Sequence, residues 1–377
     1  MKTYDRTSVH EFLGDLVVYR NLAPLDGRLP HLDDVREQKG VPPGVTPRKS
    51  QPAYGRVIVE LLREARKLDG DHPALERLVY VGDTRLNDGV AFGNIASAGG
   101  WAGRAFIASE TPEPTAAEIV QRGATALYFA SRWDAIVEFE RFCEEQGFPM
   151  DRQTAVIVDL DKTALGARGR NDQVINQARV EAVRRAVGGL LGTAFDRQAF
   201  EMAYDTLNQA EFHPFTADNQ DYLAYICLIL GSGLVQLQPL LDRVGADQLT
   251  SFTHFIAEVD EQAGELPASL RQIHQDIHSR VRAGDPTPFK TFRYQEYRAT
   301  VERMGCLSDD APVEDLLAGE IVITQEVRKA ALRWKERGAL LFGLSDKPDE
   351  ASIPTDQLAD EGYLPIHRVE THAVGAG

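Results

Sequence analysis

The sequence predicts an α/β fold built on a central parallel sheet and interrupted by a long helical segment. Three observations predict it. Ala-Val-Ile-Val at 155–158 is an unbroken apolar run that ends at Asp159, Asp161 and Thr163. Such a run suits a strand buried on both faces of a parallel sheet. Two further runs, 78–81 and 339–343, end in the same manner, at Gly82-Asp83 and at Ser345-Asp346. From 173 to about 320, by contrast, almost every segment carries helical spacing and strand candidates are few.

Taken in order, Leu16-Val17-Val18-Tyr19 reads as a short strand, and 22–45 as a loop or cover punctuated by Pro and Gly. Residues 1–46 form an N-terminal extension. Lys49 and Pro52 stand just before and at the opening of an amphipathic helix through Val57, Leu61, Leu62 and Ala65, where proline is favoured. A strand at 78–81 runs into Gly82-Asp83-Thr84-Arg85-Leu86-Asn87-Asp88, and another is expected at 104–108. Residues 116–122 suggest a helix, 126–129 a brief strand, and 133–146 an amphipathic helix ending at Gly147. The strand ending at Asp159 follows. In the last section Ile321-Val322-Ile323-Thr324 opens a β-rich stretch. A helix at 325–338, a strand at 339–343 and a final strand at 366–371 complete it. The resulting division is an α/β core, 1–172 plus 321–377, around a helical domain at 173–320.

The chain has 377 residues, 43% hydrophobic and 26% charged, which suits two folded domains. Its net charge of −16 argues against a nucleic-acid backbone or an anionic membrane as the main partner. Cys143, Cys227 and Cys306 have no CxxC spacing and read as reduced thiols. The opening residues Met-Lys-Thr-Tyr-Asp-Arg contain no apolar signal core, and no apolar run approaches a membrane span, so a cytoplasmic location is expected.

Ligands of open α/β sheets bind beyond the carboxyl ends of the strands, so the acidic strand ends are where chemistry belongs. The Asp-Leu-Asp-Lys-Thr motif at 159–163 resembles the nucleophile loop of the haloacid dehalogenase-like phosphohydrolases. That family also needs a Ser or Thr after a second strand, a Lys, and an acidic Gly-Asp motif after a further strand. Ser345, Lys49 and Gly82-Asp83 fill these places. In the usual order the nucleophile strand comes first; here the Lys and Gly-Asp motifs precede it. The resemblance therefore implies a Rossmann-like core that is circularly permuted, beginning near the Lys loop. It would end on the strand that normally precedes that loop, with 366–371 at one sheet edge. The helical segment stands where the family inserts its cap domain.

The resemblance implies the roles as well. Asp159 would attack phosphorus to give an aspartyl-phosphate, which divides one displacement into two. Asp161 would protonate the leaving oxygen and then activate water. Thr163 would fix the loop by hydrogen bonding, beside the bound substrate. Asp83, Asp159 and the carbonyl of Asp161 would hold Mg²⁺, with Asp88 a further ligand or a support. Ser345 would bind a phosphate oxygen. Lys49 would neutralise charge on nucleophile and phosphoryl group; Lys347, two residues after Ser345, competes for that role. The implied activity is Mg²⁺-dependent hydrolysis of a small phosphomonoester. A phosphotransferase or phosphomutase using the same intermediate is the alternative, and a noncatalytic binding protein a further one.

Other features carry less. His274 and His278, with Asp276 between them, have i,i+4 spacing that suits a metal, but no third ligand is apparent and a solvated helix face is the simpler reading. Arg168 and Arg170 follow the nucleophile loop and could touch substrate; an exposed polar flap is the simpler reading. Gly231-Ser232-Gly233 reads as a helix break, and Phe212, Phe215, Tyr222 and Tyr225 as helical core or pocket lining.

Overall fold

A computed structural model describes residues 1–68, 70, 73–112 and 116–376. The chain divides into two compact units, 1–177 with 300–377, and 178–299. Residues 300–320, expected in the helical segment, thus belong to the first unit. Glu320 explains why: its carboxylate accepts from the Thr371 hydroxyl at 2.7 Å, from the N–H of His372 at 3.0 Å and from the N–H of Leu307 at 3.0 Å. Among the described residues no helix is long and apolar enough to cross a membrane.

The first unit contains two sheets. Its strands are β1 (Lys2–Thr7), β2 (Val17–Val18), β3 (Arg77–Gly82), β4 (Ala102–Ala108), β5 (Ala117–Arg122), β6 (Thr125–Ala130), β7 (Thr154–Asp159), β8 (Ile323–Thr324), β9 (Leu340–Leu344) and β10 (Thr371–Gly375). The larger sheet has seven strands in the order β2-β9-β7-β3-β4-β6-β5, all parallel except β5. The α/β class is therefore as expected. β7 is buried along its whole length, which accounts for its unbroken apolar run. Helices Pro52–Leu68 and Asp88–Gly99 bury Leu61, Leu62 and Ile95 in one core with Leu78, Ile157 and Phe342 of the sheet.

One helix and one strand expectation are corrected. Residues 117–122 form β5 and not a helix: a turn through Gly123, at φ +60°, folds them back antiparallel on β6. The pairing satisfies the backbone of a segment that is almost wholly exposed and so carries little apolar signal. At the other edge, 366–371 is not the flanking strand. Ile366–Arg368 is a 3₁₀ turn, and β10 begins only at Thr371 and joins β1 and β8 in a separate three-stranded sheet. The edge beside β9 is taken by β2, held where Gly343 N–H donates to Leu16 O at 2.7 Å and Ser345 N–H to Val18 O at 3.0 Å.

The second unit is helical. Its core joins Phe215, Tyr225, Phe252 and Phe255, and Tyr222 stacks on Phe252 with ring centroids 3.8 Å apart. The aromatic group is thus core. The helix Gln220–Gly231 ends at the Gly-Ser-Gly stretch, which is a helix break.

Candidate active site

The three acidic strand ends are brought level by sheet register. Asp159 pairs with Leu344 of β9, and Val158 pairs with Val81 of β3. Ser345 and Asp83 therefore each stand one residue beyond neighbours of Asp159. Lys49 reaches the same point from the turn before helix Pro52–Leu68, its carbonyl held by Asn94 Nδ2 at 3.0 Å.

Lys49 Nζ donates to Asp159 Oδ1 at 2.6 Å and to Asp88 Oδ1 at 2.8 Å, and the ammonium is only 3% exposed. Asp83, Asp88 and Asp159 are all buried, each with a carboxylate oxygen within 4.8 Å of the others. Asp88 is saturated. Its Oδ1 also accepts from Tyr80 OH at 3.0 Å, and its Oδ2 accepts from Asp83 N at 3.1 Å, Thr84 N at 2.9 Å and Thr84 Oγ1 at 2.9 Å. With five donors on two oxygens, Asp88 is a support that shapes the β3 turn and holds Lys49. Gly82 permits this approach: a Cβ there would lie 2.7 Å from Cβ of Asp88.

Asp83 has the freer carboxylate, and Arg168 is its partner through Nε. Arg168 is thus no exposed flap. The loop that carries it is tied down by Trp133 Nε1, which donates to Arg168 O at 3.2 Å, and by Glu110 N–H, which donates to the same oxygen at 3.0 Å. The Arg170 side chain is buried, bridging Glu110 at 2.7 Å and Glu326 at 3.0 Å. Their acidic partners lie far away in sequence, so nothing local marks either arginine as paired.

Desolvation dominates the electrostatics. Burial, with the charge of Asp88, pushes Asp83 up to about 7 against the pull of Arg168. Burial also raises Asp159 well above the carboxylate range, and Lys49 only partly opposes this. Lys49 itself is held firmly protonated: burial alone would lower it, but Asp159, Tyr80 and Asp88 more than reverse that. When all three carboxyl groups are ionised they outnumber the charges of Lys49 and Arg168, so a further cation would favour the ionised cluster over the protonated one. Its donors are all oxygen, the set that suits Mg²⁺.

The loop after β7 turns sharply. Lys162 lies at φ +64°, a left-handed conformation that costs about 1 kcal/mol for a non-glycine residue. Ala164 N–H then returns to Asp159 O at 3.2 Å, and Leu165 N–H to Leu160 O at 2.9 Å. Thr163 does not fix this loop through its hydroxyl, which is buried with no hydrogen-bond partner among the described residues. Its carbonyl does so instead, accepting from Thr324 Oγ1. Asp161 is half-buried and lies outside the carboxylate cluster. It lines a cavity of ≈ 20 Å³ with Ser345, Lys347 and Tyr19. That volume holds about one water, so a phosphoryl group enters only if these side chains shift. Ser345 Oγ accepts from Lys347 N–H at 3.1 Å, and Asn87 Nδ2 spans to Asp346 Oδ2 at 3.4 Å, joining the turns after β3 and β9.

Comparison with family models, with curated proteins and with solved structures finds no match for this chain.

Proposed function

We propose that the chain is a Mg²⁺-dependent phosphohydrolase of the haloacid dehalogenase-like type, with a permuted core and residues 178–299 as its inserted cap. One observation carries the reading: Lys49 contacts Asp159 and Asp88 within a buried carboxylate cluster that includes Asp83. These groups come from three separate sequence motifs. Those motifs, with Ser345, sit on or beside the adjacent strands β9, β7 and β3. In a permuted core the edge strand before the Lys loop would be β2, not 366–371.

In this mechanism Asp159 attacks the phosphoryl group of a small phosphomonoester. Lys49, fixed by Asp88, keeps that carboxylate aimed and lowers the repulsion between nucleophile and anionic substrate. Asp161, on the half-exposed side of the turn, gives its proton to the leaving oxygen and then takes one from the attacking water. Ser345 hydrogen-bonds a non-bridging oxygen of the phosphoryl group. Asp83 and Asp159, with the carbonyl of Asp161, would hold Mg²⁺. When bound, the ion supplies charge neutralisation that the two cations leave incomplete.

The test is phosphate release from a panel of phosphomonoesters, with Mg²⁺ and with EDTA, for wild type and Asp159→Asn. Metal-dependent release in the wild type, lost by at least about 10³-fold in the variant, is expected. Release that persists in Asp159→Asn would sink the proposed nucleophile. No release from any ester together with no Mg²⁺ binding would sink the enzymatic reading.

A further inference from the structure

The helical unit contains a second convergence of ligating atoms, chemically unlike the first. Helix Ala268–Arg282 carries His274 and His278 one turn apart, and helix Phe252–Glu261 carries Asp260. Asp260 Oδ1 lies 3.0 Å from His274 Nε2 and 3.2 Å from His278 Nδ1. The three residues offer ligand atoms all within 4.8 Å of one another. Asp276, the acid between the histidines in sequence, points elsewhere and pairs with Arg280 at 3.0 Å. The expected solvated face is also wrong for His274, whose side chain is 1% exposed.

We propose that Asp260, His274 and His278 bind a borderline transition-metal ion of the Zn²⁺ class, clamping helix Phe252–Glu261 to helix Ala268–Arg282. Three observations favour a metal over a carboxylate that merely accepts two imidazole protons. The first is spacing. Tetrahedral ligands at Zn–N and Zn–O lengths of about 2.0–2.1 Å sit about 3.3 Å apart, near the separations seen from Asp260. The second is the far side of His274, where Nδ1 lies 2.6 Å from Tyr225 OH, a buried contact. A metal-bound imidazole characteristically uses its other ring nitrogen this way, which fixes the tautomer and aims Nε2 at the ion. The third is exposure: the Asp260 side chain is 47% exposed and His278 18%, so an ion has a route in and a fourth position that solvent can fill. Two imidazoles select a softer cation than the all-oxygen cluster of the first unit, which suits Mg²⁺. The site does not depend on the proposed phosphohydrolase activity.

The test uses Co²⁺ as a coloured substitute for Zn²⁺, titrated into the full chain with excess Mg²⁺ present to occupy the carboxylate cluster. The expected result is one equivalent of Co²⁺ with tetrahedral-type visible absorption, displaced by Zn²⁺. His278→Gln changes a partly exposed residue and is least apt to disturb folding; it should abolish the absorption. Tyr225→Phe should weaken binding by roughly 10–100-fold, as loss of an outer hydrogen-bond partner does. Asp83→Asn, in the other unit, should leave the signal unchanged. No stoichiometric Co²⁺ uptake, or uptake unaffected by His278→Gln, would overturn the proposal and leave Asp260 as a plain ion-pair partner.

Discussion

Arg168 donates through Nε to Asp83 Oδ2, tying the loop that follows β7 to the turn that follows β3. Among the described residues, this guanidinium is the cation in contact with a carboxylate that burial drives up to about 7. Folded Asp83 thus binds its proton more tightly than the unfolded chain does, whose value is near 3.8. The sign follows: without metal, this group makes stability fall as pH rises from about 4 to about 7, and Asp159 adds in the same sense. Mg²⁺ binds only the ionised form, so it should stabilise the protein more at pH 8 than at pH 5. Melting curves with Mg²⁺ and with EDTA across that range check this, and equal stabilisation at both ends would count against it. Arg168→Gln should carry that fall in EDTA on to higher pH, because Asp83 loses the cation that holds it down.

Removing Lys49 leaves buried carboxylates without their main cation. Lys49→Met should cost about 3–5 kcal/mol, the usual penalty for breaking a buried pair from one side. Adding Asp88→Asn to that variant should recover part of the loss, because the two sites share one contact. Urea unfolding of the single and double variants measures the coupling; strict additivity would contradict the arrangement.

Gly82→Ala forces its methyl against Asp88, whose carboxylate organises the turn after β3. A loss of about 1–3 kcal/mol is expected, as for other overpacked sites, with weaker Mg²⁺ binding as Asp83 shifts. Calorimetric Mg²⁺ titration of the variant is the check.

Thr163→Val removes a buried hydroxyl that has no partner among the described residues. It should be neutral or stabilising by up to about 1 kcal/mol, whereas a loop-fixing hydroxyl would make it destabilising by a similar amount. Chemical denaturation decides the sign.

His367 is fully buried, and burial lowers it to about 4 although Asp15 lies 3.0 Å from Nε2 and opposes the shift. Here the unfolded chain binds the proton more readily. The stability this group contributes is full above about 6.5 and is lost as pH falls towards 4. His367→Gln should therefore close on the wild type, or overtake it, as pH drops through that window. Parallel thermal midpoints at pH 7 and pH 4.5 would show no convergence if the histidine were charged in the folded state.

The strands that carry the site were legible because each is sealed on both faces. β3, β7 and β9 are nearly solid apolar runs, and a polar residue at their ends breaks the pattern sharply. Lys49 was legible from the proline-opened helix beside it. What escaped has no local mark. β5 is exposed along almost all of its length and exists only because β6 is there to pair with it. Arg168 and Asp83 are 85 residues apart in the chain, and Asp260 stands 14 residues from His274 on another helix. Neither pair lies on one element, so the periodicity of a single helix or strand marks neither. Asp88 was narrowed from ligand or support to support only by its five donors, which no spacing could count.

The pairing of β1 with β10 joins Lys2 to Gly375, and β2 meets β9 at Gly343 and Leu344. A ribosome makes β1 and β2 long before β10 and β9, the strands they pair with, emerge. The helical unit, 178–299, is completed well before that. During synthesis it has the chance to fold while the strands carrying Asp83 and Asp159 still lack β9. Nascent chains stalled before residue 340 should accordingly expose the apolar flank of β7 and attract holdase chaperones, and that attraction should vanish once β9 and β10 are out.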